Sequence, residues 1–166
     1  MTTYYGKYRG TVVDTVDPMQ MGRLLVSVPA VGLPGAWAMP CIPFAGDQAG
    51  AWMIPGPDAG VWVEFEQGQV DYPIWSGSWF RSAAEVPALA RETSPAASPI
   101  VLQTRGQTAV MLSDAPGPTG GILLQTATGG RISITDDGIT LSNGNGATIT
   151  LVGATVTLNE GALVVT

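Results

Sequence analysis

The sequence predicts an all-β chain made of two unlike halves, and three observations carry that prediction. Short runs in which apolar and polar residues alternate at period two occur throughout the 166 residues, the pattern of strands with one buried face. All five Trp, four Tyr and three Phe lie between Tyr4 and Phe80, so the composition changes there. Beyond that point glycines recur at 130, 138, 146, 153 and 161, the mark of an internal repeat. With 12% charged and 45% apolar residues, the chain is composed to pack. The boundaries are placed at 1–80 for the first domain, 81–99 for a Pro/Ala-rich linker containing Pro87, Pro95 and Pro99, and 100–166 for the repetitive part.

In the first domain five runs rich in β-branched and aromatic residues alternate with Pro/Gly loops: Tyr8 to Val13, Arg23 to Val28, Ala36 to Ile42, Gly60 to Phe65 and Ile74 to Phe80. Leu24, Val26 and Val28 share one face of the second run, and Val61, Val63 and Phe65 oppose Trp62, Glu64 and Glu66 in the fourth. Five such strands in about 80 residues suit a Greek-key barrel of the OB type, whose closure removes the exposed edges of an open sheet.

In the last domain the glycines separate Ile132 to Ile134, Ile139 to Leu141, Ala147 to Leu151, Ala154 to Leu158 and Ala162 to Val164. A less regular version begins at Ile100 to Leu102 and Ile122 to Leu124. Each repeat reads as a short strand with one aliphatic stripe, closed by a Gly turn. One stripe per strand and no large side chain cannot offset an ordering entropy of about 1–2 kcal/mol per residue, so the domain needs copies of itself. Three chains wound about one axis, pairing their backbones with one another, give an intertwined homotrimeric β-helix or β-prism needle. Its expected core is Ile132, Ile134, Ile139, Leu141, Ile149, Leu151, Val156 and Leu158. The apolar end, Ala162, Leu163, Val164, Val165 and Thr166, is expected to form a triangular platform on which a separate cap protein docks.

The composition also excludes chemistry. With no histidine, a Ser/His/Asp triad, a His-bearing zinc site or a His general base cannot be built. The single cysteine, Cys41, reads as a small buried thiol, and without a disulfide the chain suits a reducing compartment. Glu64 and Glu66 have the spacing of a carboxylate pair, but a solvated strand face accounts for them; Asp136-Asp137-Gly138 reads as an Asx-type turn. The Gly-rich stretches at 117–121 and 143–146 lack the Gly-Lys-Ser/Thr of a phosphate loop, the only lysine being Lys7. Five tryptophans on an OB barrel would suit stacking of single-stranded bases, which makes a nucleic-acid binder one alternative. However, residues 1–80 hold Lys7, Arg9 and Arg23 against Asp14, Asp17, Asp47, Asp58, Glu64, Glu66 and Asp71, and a net charge of −6 repels phosphates. No catalytic residue, metal ligand or cofactor emerges. The N-terminus lacks the basic and apolar regions of an export signal, so synthesis in the cytoplasm is expected.

The run Tyr8-Arg9-Gly10, Asp17-Pro18, Gly22-Arg23-Leu24 through Val28-Pro29, and Ala36-Trp37-Ala38-Met39-Pro40 is similar to a known family, as are Gly60 to Phe65 and Asp71-Tyr72-Pro73-Ile74-Trp75-Ser76-Gly77. Residues 4–80 resemble, in order, the OB domain of baseplate central-spike proteins: phage baseplate assembly protein V, the VgrG spikes of type VI secretion, and the spikes of extracellular contractile injection particles. The resemblance implies a non-enzymatic spike at the baseplate centre, beneath a hub protein and tube, driven through a target envelope when a sheath contracts and touching the membrane only then. It also implies a trimeric needle after the barrel and a PAAR-type protein as the cap. The chain departs from longer members in having no hub region ahead of the barrel, no room in the linker for a lysozyme domain, and no histidine for an iron-bound tip. It therefore resembles a minimal spike destined for a virion tail or extracellular particle. A trimeric β-prism fibre or adhesin is the other alternative, sharing the needle but not the barrel motifs.

Overall fold

The computed structural model describes residues 2–93 and 97–165. Its backbone forms two units, residues 1–85 and 86–166. Among the described residues no helix is long and apolar enough to cross a membrane.

The first unit is built on β1 (Tyr8–Asp14), β2 (Leu24–Val28), β3 (Leu33–Pro40), the minimal hairpin β4 (Ala45–Gly46) and β5 (Ala49–Gly50), β6 (Gly60–Phe65) and β7 (Pro73–Trp79). Five of these close a barrel in the order β1-β2-β3-β7-β6, with β6 returning to β1. Every barrel pairing is antiparallel except β3 with β7, where Met39 faces Ile74 and Pro40 faces Trp75. The predicted alternation sets the interior: Leu24, Val26, Val28, Val61 and Val63 are completely buried and Phe65 nearly so. Val12, Ala38 and Trp75 complete the core. Each large aliphatic side chain removed from water contributes about 1.5–3 kcal/mol. At one end Tyr4 and Tyr8 pack on Phe65, with ring centroids 6.1 and 5.6 Å from it. The indole nitrogen of Trp75 donates to the Gly22 carbonyl at 3.1 Å, so this buried polar group is satisfied.

The loop between β1 and β2 is organised by one carboxylate. Asp17 accepts from the backbone nitrogens of Met19 (2.9 Å), Met21 (2.8 Å) and Arg23 (3.2 Å). It also accepts from Nε and Nη2 of Arg23 at 2.9 and 2.7 Å. The Arg23 guanidinium in turn lies 5.4 Å from the centre of the Trp37 ring. These donors, the Arg23 side chain foremost, hold the Asp17 carboxyl well below the usual carboxylate range.

Cys41 is exposed, not buried as its sequence context suggests. It follows the last residue of β3, where the chain leaves the barrel, and its backbone N–H donates to the Trp75 carbonyl at 2.9 Å.

The second unit holds a short helix, α1 (Ala88–Glu92), and one sheet. Its strands are β8 (Ile100–Gln103), β9 (Ala109–Ser113), β10 (Gly121–Gln125), β11 (Arg131–Thr135), β12 (Gly138–Ser142), β13 (Thr148–Val152), β14 (Thr155–Leu158) and β15 (Leu163–Val165). They pair antiparallel in strict chain order from β8 to β15. This corrects one expectation: the repeats pair within the chain, because short turns return each strand to its predecessor before a second copy is needed. Gly138 marks one such return. It has φ +149°, and a Cβ there would overlap the Leu151 carbonyl oxygen on the next strand. β9 and the β4–β5 hairpin were not foreseen. Of the linker, Pro95 lies outside the described residues.

Two outcomes follow for stability. Between the lowered pKa of Asp17 and its ordinary value near 4, the unfolded chain binds more protons than the folded one, so stability falls as pH drops below about 4. Asp17→Asn should lower stability at neutral pH and flatten that acid limb in urea titrations run from pH 7 to 2. Gly138→Ala should reduce thermal stability by about 1–3 kcal/mol or more in calorimetry, since backbone, not a movable side chain, meets the new methyl.

Candidate functional site

The register of the second sheet places every inward-alternating aliphatic residue on one face. One row runs Ile100, Leu112, Ile122, Ile134, Ile139, Leu151, Val156, Val165, each directly opposite the next. The second runs Leu102, Val110, Leu124, Ile132, Leu141, Ile149, Leu158, Leu163 in the same way. The eight expected core residues, Ile132, Ile134, Ile139, Leu141, Ile149, Leu151, Val156 and Leu158, thus lie together in the middle of two continuous stripes. Ile100, Leu102, Val110, Leu112, Ile122 and Leu124 extend the stripes at one end. Leu163 and Val165, which the sequence assigns to the tip, continue them at the other; Thr166 lies outside the described residues. The alternation of Ala109, Met111 and Ser113 with Val110 and Leu112 was the available signal for β9.

Among the described residues of the second unit nothing covers this face. Ile132 and Ile134 in its centre remain 40% and 42% exposed, and Ile100 reaches 63%. The second stripe floors an open trough of about 740 Å³ rimmed by Thr108, Thr126, Gly130, Asn143, Ala147 and Asn159. A contiguous exposed aliphatic surface of this extent marks an interaction site. The opposite face is different in kind. Near its start Ala109, Met111 and Ser113 are buried. There the Thr93 hydroxyl donates to the Leu89 carbonyl at 2.8 Å and lies 3.7 Å from the Met111 sulfur. Further along it becomes hydroxyl-bearing, with Ser133, Thr140, Thr150 and Thr157 in line.

The turns fall on two edges. The first edge carries loops 104–108, 126–130, 143–147 and 159–162; the second carries 114–120, 136–137 and 153–154. Three first-edge loops are built alike. In each, the fifth residue's N–H bonds to the first residue's side-chain oxygen: Thr108 to Thr104 (3.2 Å), Gly130 to Thr126 (3.1 Å) and Ala147 to Asn143 (3.0 Å). On the second edge the Thr135 hydroxyl accepts from the Asp137 N–H at 3.3 Å, so the turn there is closed by threonine and not by an aspartate side chain.

The remaining candidate chemistry does not converge. Glu64 pairs with Lys7 at 3.3 Å, and Lys7 also donates to Ser76 at 2.8 Å, while Glu66 sits in the following turn. Arg9 stacks against Trp79 and Trp62, 4.8 and 5.8 Å from their ring centres. Both Gly-rich stretches lead into strands, β10 and β13, not into helices. Among the described residues no three His, Cys, Asp or Glu side chains are placed to hold a metal ion.

A closed five-stranded barrel followed by a one-layer sheet with a bare aliphatic face is the build of an all-β chain with a surface for association. Two family models match it: the type VI secretion system/phage-baseplate injector OB domain over residues 8–80, and the phage baseplate V C-terminal trimerisation domain over residues 99–164. The chain belongs to the phage baseplate V family of spike proteins, and its role is that of a structural baseplate component. No curated protein matches the chain.

The two faces should respond oppositely to charge. Ile149→Asp introduces a carboxylate into the aliphatic stripe, with a desolvation penalty of several kcal/mol per chain on association. Sedimentation velocity should show that this variant fails to self-associate, whereas Thr150→Asp, on the hydroxyl face, retains the wild-type oligomer.

Proposed function

We propose that the protein is the central spike of a contractile injection machine, assembled as a homotrimer that pierces the target envelope when the sheath contracts. The observation that carries this reading is the pair of eight-residue aliphatic stripes left bare on a sheet within a trimerisation domain. Three such sheets facing one axis form a β-prism: the stripes supply its core and the Ser/Thr rows its outer surface. Each face is then contributed by one chain, so the copies meet through side chains.

This build suits axial load. The strands run across the prism and stack along it at about 4.8 Å each, so eight strands span roughly 35 Å. The short outward hydroxyls keep the needle slim, and the absence of lysine beyond Lys7 leaves few sites for trypsin-like proteases. A baseplate hub protein bound through the barrel would transmit the thrust. At the opposite terminus of the sheet β15 pairs on one side only, with β14. Three copies of that edge and of Leu163 and Val165 make an apolar platform for a PAAR-type tip protein.

Sedimentation equilibrium of the full chain should give the mass of three chains with no dissociation on dilution to nanomolar concentration; a stable monomer at micromolar concentration overturns the proposal. Deleting Leu163 to Thr166 should leave the trimer intact and abolish co-purification of a PAAR-type tip protein expressed together with it. Retention of that protein by the shortened trimer would remove the tip from the scheme.

A further inference from the structure

Charge in the second sheet is scarce and sorted by edge. Residues 100–166 contain six charged side chains: Arg105, Asp114, Arg131, Asp136, Asp137 and Glu160. Both arginines lie on the first edge, Arg105 in the 104–108 loop and Arg131 at the start of β11. All three aspartates lie on the second edge, Asp114 after β9 and Asp136-Asp137 after β11. Arg131 and the Asp136-Asp137 turn therefore stand at opposite ends of one strand. At about 3.4 Å per residue they are roughly 17–20 Å apart, too far to pair within the chain. Among the described residues none of them takes part in a salt bridge.

Resting on the trimeric reading above, we infer that the corners of the prism are heterologous and are latched by Arg131 of one copy against the Asp136-Asp137 turn of the next. The argument is one of symmetry. A closed ring of three cannot be made from self-complementary contacts, so each corner must join the first edge of one copy to the second edge of its neighbour. Rotation about the axis without translation keeps every strand at its own height. Residues at the two ends of β11 are consequently brought to the same level at each corner, cation against anions. Arg105 and Asp114, one strand apart in height, repeat the arrangement nearer the linker. Glu160, the one anion on the first edge, lies three strands from Arg131, roughly 14–17 Å along the axis, and does not compete.

The sorting also sets register and partner. An axial slip of one strand takes Arg131 away from the aspartates, and an inverted copy sets like edges together, arginine to arginine. The stripes supply affinity while the corners select the parallel, in-register trimer.

The test is covalent. In a Cys41→Ser background, Arg131→Cys combined with Asp137→Cys should give a closed three-chain species on a denaturing gel after treatment with a bis-maleimide about 10 Å long, since a linker of that reach spans an Arg–Asp ion pair but not the roughly 17–20 Å between the two positions within one chain. Cross-linked dimers from Arg131→Cys alone would show like edges meeting and overturn the inference. So would a sedimenting trimer whose double-cysteine chains stay separate on the gel, whereas a monomer in sedimentation instead overturns the spike reading itself. Should the cysteine variant fail to fold, charge exchange decides. Arg131→Asp should raise the trimer dissociation constant on the order of tenfold at low salt, the product of three exposed pairs, with the effect fading near 1 M salt. Adding Asp137→Arg should bring it back to within about twofold of wild type; equal weakening by the single and double variants would overturn the latch.

Discussion

A sheet one layer thick has two faces and no interior, and that constraint governs the second unit. Its backbone is satisfied, strand by strand, by hydrogen bonds within the chain, apart from the outer edges of β8 and β15. Its side chains are not, because the stripe from Ile100 to Val165 and its companion have no second layer to meet. Folding in the usual sense is therefore incomplete in one chain: the ladder supplies local order and the hydrophobic term is left for association. The absence of aromatic residues after Phe80 fits this division. In the proposed trimer, side chains of similar, modest volume would pack repeatedly around a shared line, where a single tryptophan would break the layer.

The barrel meets the same problem in the opposite way. Closure of β6 onto β1 turns one sheet into its own second layer, so Leu24, Val26, Val28, Val61 and Val63 find partners without another copy. What the barrel then lacks is rigidity at the loop joining β1 to β2. Asp17 supplies it by gathering three backbone donors and one arginine around a single carboxylate. The two units thus represent two answers to exposed strand edges and bare faces, one internal and one intermolecular.

Much of this was legible in the sequence because period two is a strong signal when strands are half-buried. The five barrel strands and the shared face of Ile149 and Leu151 follow from alternation alone. β9 escaped because Ala109, Met111 and Ser113 are buried, Met111 against Thr93, while Val110 and Leu112 lie on the other face, so both faces read as partly apolar and no glycine spaces the strand regularly. The direction of pairing was misjudged for a related reason: the repeat length says where strands turn, not whose strand comes next, and that depends on turns such as 136–137 being tight enough to bring the chain straight back. Asp17 entered only as a charge and as part of the Asp17-Pro18 motif, since five donors converging from a loop leave no periodic trace. The exposure of Cys41 depends on where β3 ends, the least legible property of a strand.

The strict chain-order meander carries an evolutionary consequence. Because the turns alternate between edges, a duplicated or deleted pair of strands changes the length of the sheet by about 10 Å and returns the chain to the edge from which it left. Faces, stripes and the sorting of loop types survive such an event unaltered, whereas gain or loss of one strand exchanges the edges for everything downstream. The length of the sheet can accordingly drift among descendants in steps of a hairpin, with selection acting on length while chemistry stays fixed, in the manner of a measuring rod assembled from identical paired graduations.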